Sequence, residues 1–252
     1  MSQREVHCDP VQRGFRLPGV VQQTDCVTEP SRVVRAAVIA LVVGLALGFL
    51  TQYLQAQLPG NWNTLANSGV VWVVFAFTVT AVLRLPTGWS ALLGFITLFG
   101  ALAGYYVAAR FIEDATSSAS TMAVWAFAAI VGGPVFGIAG SWWSEGAAVR
   151  SAGSWWSTGG GSERSEARLW HLSRPVVGVA LLSAAFLAEG IYFLWQVENK
   201  HASGRVEIVL AVLAPVMLAR TNRDRFTGLF LLVPLGLVGI AFYGLLNALL
   251  AT

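Results

Sequence analysis

An all-α bundle of membrane-spanning helices is the fold class that three observations predict. The chain has 252 residues, of which 56% are hydrophobic and only 12% charged, whereas soluble domains carry about 25% charged residues. Its mean hydropathy of +0.64 leaves too little polar surface to face water on all sides. The apolar residues also fall into seven segments, most of them near the roughly 20 residues that a spanning helix needs. In a bilayer such segments must be helical, because the backbone has no water to bond to.

The elements follow in order. Residues 1–31 are polar, contain Pro10, Pro18 and Pro30, and show no apolar period, which predicts a flexible cytoplasmic tail. They do not read as a signal peptide, since the first apolar stretch starts late and runs too long. Residues 32–252 then form a single transmembrane domain. The first span is Val33–Leu54, followed by an uncharged loop, LPGNWNTLANSG. The second is Asn67–Leu83, ended by Arg84 and the turn LPTG. The third is Trp89–Ala109, closed by Arg110. The fourth is Ala119–Trp143, with Pro134 inside it. Residues 144–173, rich in Gly and Ser, read as a long cytoplasmic loop. The fifth span is Pro175–Val197. The sixth, Arg205–Ala219, is the weakest: it is short and contains Glu207 and Pro215. The seventh is Thr227–Leu250.

Charge sets the expected orientation. Arg4, Arg13, Arg16, Arg32, Arg35, Arg84, Arg150, Arg164, Arg168, Arg174, Arg220, Arg223 and Arg225 share one side, and Arg110, Lys200 and Arg205 take the other. The positive-inside rule then puts the N-terminus in the cytoplasm and the C-terminus outside. Without the sixth span the C-terminus moves inside, so six spans remain the alternative. The net charge of +3 is scattered over loops. This fits orientation in a bilayer and argues against nucleic acid as a partner.

Two repeats stand out. Gly48, Gly104 and Gly190 each precede aromatic residues in spans one, three and five, which suggests three related hairpins plus a closing helix. AGSWWS occurs at Ala139–Ser144 and again at Ala152–Ser157. Its indoles, Trp142, Trp143, Trp155 and Trp156, suit the headgroup level of the cytoplasmic interface.

Few residues carry a chemical expectation. Glu189 lies about 10 Å inside span five, counted at 1.5 Å per residue. A charge at such depth costs about 2.5–3.5 kcal/mol on insertion scales, so Glu189 must face protein or water. It is either a proton or cation site or a structural link to another helix, with Ser183, Tyr192 or Tyr106 as candidate partners. Glu207 lies near the same level, either solvated or near a helix N-terminus. Together with Arg110 the two glutamates form a candidate polar pocket. Gly44 and Gly48, Gly100 and Gly104, and Gly133 and Gly137 are spaced for close helix packing, within the bundle in preference to a dimer face. Pro134 and Pro215 each remove a backbone hydrogen bond and predict kinks. They would serve a functional role only if they broke a helix.

Enzyme signatures are missing: the chain has no H-E-x-x-H, G-x-S-x-G, P-loop or intramembrane aspartate pair. Cys8, Cys26 and His7 are too few and too widely spaced for a zinc site, so neither a metal nor a cofactor is expected. The strings SALLGFITLFGALAGYY (Ser90–Tyr106) and GGPVFGIAGSWW (Gly132–Trp143) resemble small uncharacterised multi-spanning membrane proteins of actinobacteria. That resemblance covers spans three and four and implies a location, without a chemistry. The functional expectation is a non-catalytic scaffold or accessory subunit in the plasma membrane of a bacterium. The alternative is a small transporter or permease-like protein with a polar site around Glu189.

Overall fold

The computed structural model describes residues 30–112, 118–153, 173–197 and 200–250, with the backbone alone for residues 146–153. The described residues form eight helices: α1 (Pro30–Gln57), α2 (Asn61–Ala66), α3 (Gly69–Leu83), α4 (Thr87–Ile112), α5 (Ala119–Gly153), α6 (Arg174–Trp195), α7 (His201–Leu218) and α8 (Asn222–Leu250). Among the described residues the structure is all-α, with seven helical segments long and apolar enough to cross a membrane, α2 and α3 together making one of them. The segment expected to be the weakest span is α7, a helix of 18 residues. The tail up to residue 29, Trp155 and Trp156 lie outside the described residues.

Three boundaries differ from expectation, each for a local reason. The uncharged loop before span two contains α2, so this crossing runs from Asn61 and is broken at Asn67 and Ser68. Gly60, at φ 57°, turns the chain into α2 in a conformation that glycine adopts without strain. At the fourth span the helix does not stop at Trp143 but continues to Gly153, so the first part of the expected 144–173 loop is helical. Arg205, expected to open span six, lies within α7, which begins at His201.

Small residues decide how the helices meet. A Cβ on Gly48 would lie 1.9 Å from the Ala101 carbonyl oxygen, and one on Gly104 would lie 2.3 Å from that of Leu45. Thus α1 and α4 touch backbone to backbone, the arrangement that small residues four apart permit. Gly44 and Gly100 belong to the same seam. Gly133 and Gly137 of α5 press on Phe95, Gly94 and Ser90 of α4. All six glycines pack within the chain.

Several buried hydroxyls are satisfied by their own helices. Thr97 donates to the Leu93 carbonyl at 2.8 Å and Ser183 to Val179 at 2.9 Å. At the Arg-rich end, Arg84 ends α3 in the left-handed conformation, at φ 51°. Arg32 of α1 donates to the Leu83 carbonyl beside it. Trp143 is half-buried there. Its indole N–H donates to the Leu218 carbonyl at 3.3 Å, and the Arg220 guanidinium sits 5.6 Å above its ring. Trp142 is half-buried beside it. Helix α5 runs through Pro134 and α7 through Pro215 without interruption. The broken crossing is α2–α3.

Candidate functional site

The break between α2 and α3 creates a need that a distant glutamate meets. A helix start leaves backbone N–H groups without partners, and in a membrane interior each one is costly. Ser68, the residue before α3, makes no side-chain cap to its own helix. Glu189 of α6 supplies the acceptors instead. Its Oε1 accepts from the Gly69 N–H at 2.9 Å, and its Oε2 accepts from the Val70 N–H at 2.7 Å and from the Ser68 hydroxyl at 2.9 Å. A carboxylate at a helix N-terminus is also favoured by the helix dipole. Glu189 is 3% exposed, and α6 is the most deeply buried of the spanning segments. The expected partners are not the actual ones: Ser183 bonds its own helix, Tyr192 donates to Asn247 at 3.1 Å, and Tyr106 stacks edge-on against Tyr105.

Glu207 lies beside Glu189 because two glycines let α6 and α7 touch. A Cβ on Gly190 would lie 2.9 Å from the Gly204 carbonyl oxygen, and one on Gly204 would lie 2.6 Å from that of Gly190. This contact is adjacent in sequence to Glu189 and one turn short of Glu207. At the start of α7, Lys200 donates to the Thr64 hydroxyl, and Ser203 donates to the Asn61 carbonyl at 3.0 Å. Both bonds tie α7 to α2. Glu207, four residues after Ser203, shares its helix face and points toward the break, near Ser68 and Glu189.

The two carboxylates differ in one respect. Glu207 is 1% exposed, yet neither of its oxygens has a hydrogen-bond partner among the described residues, the nearby Ser68 hydroxyl donating to Glu189 instead. The expectation that it is solvated is therefore corrected: the tight α6–α7 contact buries it. An anionic carboxylate in this position calls for a proton on it or a cation beside it. Arg110 does not fill that role. It is exposed near the end of α4, which packs on α1, α5 and α3.

Tyr243 of α8 completes the cluster, its hydroxyl facing Glu189. Its ring stacks on Tyr192 at 5.2 Å between centroids. A cleft of about 280 Å³ starts at Gly69 and Tyr243 and extends among α3, α5, α6 and α8. A smaller one, of about 110 Å³, lies on the other side of Gly69 and Trp72, and includes Asn67, Tyr105 and Thr121.

Ser68, Gly69, Gly204 and Tyr243 were not singled out from the sequence. The run Asn67-Ser68-Gly69 is a breaker signal of a familiar kind, and it could have located the interruption. Nothing in a single sequence signals the pairing of Gly190 with Gly204.

A family model, described as a family of unknown function (DUF6518), matches residues 27–160 and 152–249. The chain belongs to that family. The match covers nearly the whole chain and assigns no activity. No curated protein and no solved structure matches the chain.

Proposed function

We propose that this DUF6518 chain is a small transporter-like membrane protein, without catalytic activity, that takes up a proton or a monovalent cation at the Glu189–Glu207 pair. The observation that carries this reading is Glu207: a carboxylate only 1% exposed, beside a second one, with both oxygens unpartnered among the described residues. A residue serving only to hold helices together would use those oxygens, as Glu189 does. On this reading Glu189 is the fixed member, committed to α3, and Glu207 is the exchangeable one. The break in the α2–α3 crossing supports it, since interrupted helices often surround substrate and ion sites in transporters.

The same reading puts the protein in a bacterial cell membrane with the N-terminus inside and the C-terminus outside. The Glu189–Glu207 end then faces outward, with Arg110, Lys200 and Arg205 as its few basic residues. The scaffold alternative rests largely on the Trp-rich segment around Trp155 and Trp156, which lies outside the described residues.

Dicyclohexylcarbodiimide, which modifies protonated carboxyls in apolar surroundings, tests the site directly. The purified protein should form an adduct at Glu207, and Na⁺ or K⁺ should suppress it. In proteoliposomes carrying a pH-sensitive dye, a gradient of the protecting cation should move protons, and Glu207→Gln should abolish that movement. Absence of the adduct, together with equal dye responses from wild type and Glu207→Gln, would overturn the reading.

A further inference from the structure

Polar side chains run from the α2 end of the bundle down to the buried carboxylates. Asn61, Thr64 and Ser68 follow one another on the α2 side of the break, and Lys200, Ser203 and Glu207 on the α7 side. Both rows have the three-and-four spacing that keeps residues on one helix face. The contacts show that the rows meet. Lys200 donates to the Thr64 hydroxyl, and Ser203 donates to the Asn61 carbonyl at 3.0 Å with the Asn61 Oδ1 at 3.5 Å. Ser68 lies beside Glu207 and donates to Glu189 at 2.9 Å. Such a row of amide, hydroxyl and carbonyl oxygens offers successive ligands to a monovalent cation, or hydrogen-bond partners to water that carries a proton.

In this structure the row is shut. Thr64 is buried, and Ser203 and Glu207 are at most 1% exposed. What shuts it is α2, which is built to come away. Its six residues are too few for a helix that is stable alone. Thr64 is its one buried residue, and Trp62 is exposed, so no large apolar side chain anchors it. Non-helical joints lie at both ends: Gly60, at φ 57° with open space where a Cβ would be, and Asn67–Ser68, with Ser68 extended. Residues at element ends are where hinge motions are absorbed. Two side-chain hydrogen bonds tie α2 to α7, and water can replace both. A third, from the Asn63 amide to the Gln55 carbonyl, ties it to α1. Helix α2 can therefore leave α7 while staying on α1. The Gly69 and Val70 N–H groups that Glu189 accepts from lie beyond the second joint, in α3, and need not move.

We infer that the α2–α7 seam is the aqueous route to Glu207 and that α2 is its gate, held shut by the Lys200–Thr64 and Ser203–Asn61 bonds. The inference rests on the transporter reading and deepens it, by naming how the proton or cation reaches the exchangeable carboxylate.

Two carbodiimides test the route, one water-soluble and one, dicyclohexylcarbodiimide, that enters from the hydrocarbon. The full-length protein without Cys8 and Cys26 is placed in phosphatidylcholine nanodiscs, and the adduct at Glu207 is followed by mass spectrometry. In Asn61→Cys with Ser203→Cys, oxidation should cross-link α2 to α7 and slow the water-soluble reagent at least tenfold. Reduction should restore its rate, and dicyclohexylcarbodiimide should label both forms equally. Thr64→Val with Ser203→Ala, which removes both ties, should label at least threefold faster than wild type with the water-soluble reagent. Equal rates before and after oxidation, or no acceleration in the loosened variant, would overturn the gate. So would failure of the two cysteines to cross-link, since α2 would then not sit on α7. Loss of both labels on oxidation would also overturn it, because the cross-link would be distorting the site. Any of the first three results with dicyclohexylcarbodiimide labelling preserved leaves the ion site standing. Absence of labelling by either reagent in the wild type would remove the ion site and the gate together.

Discussion

At the scale of single residues, the two buried glutamates make opposite predictions. Glu189 holds the start of α3 through three hydrogen bonds. Glu189→Ala leaves two backbone N–H groups and a hydroxyl buried without an acceptor. At roughly 1 kcal/mol for each such loss, it should destabilise the protein by about 2–3 kcal/mol, read as a lowered unfolding midpoint in detergent. Glu207 has no such bonds to lose among the described residues. Glu207→Gln should leave that midpoint unchanged or raise it, because a neutral amide is cheaper to bury than a carboxylate. Equal destabilisation by the two variants would make Glu207 a structural residue like its neighbour. The need to explain an ionisable group at depth was legible from the sequence for Glu189, whereas Glu207 was expected to be solvated or near a helix N-terminus. Which of the two is committed was not legible, because the amides that decide it lie about 120 residues away along the chain.

At the scale of elements, backbone contact governs the packing. The α1–α4 seam leaves no room for a side chain at Gly48. Gly48→Val should push the helices apart and cost about 3 kcal/mol, the upper range for overpacking. Gly244→Ala on α8, where a Cβ meets nothing within 4 Å, should fold as well as the wild type. Comparing the two by thermal unfolding separates close packing from general sensitivity to glycine loss. The G-x-x-x-G pairs were visible as periodic small residues, since they lie within one helix. The Gly190–Gly204 contact was not, because it joins one glycine from each of two helices and has no spacing to read. The interruption of a crossing falls at Asn67 and Ser68, away from Pro134 and Pro215. A proline can be accommodated inside a helix, as in α5 and α7, whereas the Asn-Ser-Gly run ended one helix and began another.

At the scale of the whole molecule, the Arg-rich and Arg-poor ends predict an orientation that labelling can test. In a background lacking Cys8 and Cys26, a cysteine replacing Pro59, which is exposed beside α2, should react with a membrane-impermeant maleimide on intact cells. A cysteine replacing Pro86, exposed in the α3–α4 turn, should react only after the membrane is opened. The reverse pattern would invert the protein and put the Glu189 end inside.

Sequence alone determined the helical class and the number of apolar segments, because both depend on the local density of apolar residues against the thickness of a bilayer. It also marked Glu189 as a residue that must be explained, since depth within a span can be counted along the chain. The tertiary structure decided what surrounds it: a broken crossing whose helix start Glu189 caps, a second carboxylate brought alongside by a glycine contact, and a tyrosine of α8 whose hydroxyl faces it. Those features arise where the faces of α3, α6, α7 and α8 meet. Apolar patterning does not encode that choice, because every face of a membrane helix is hydrophobic and only the fit between small residues and buried polar groups selects the partner.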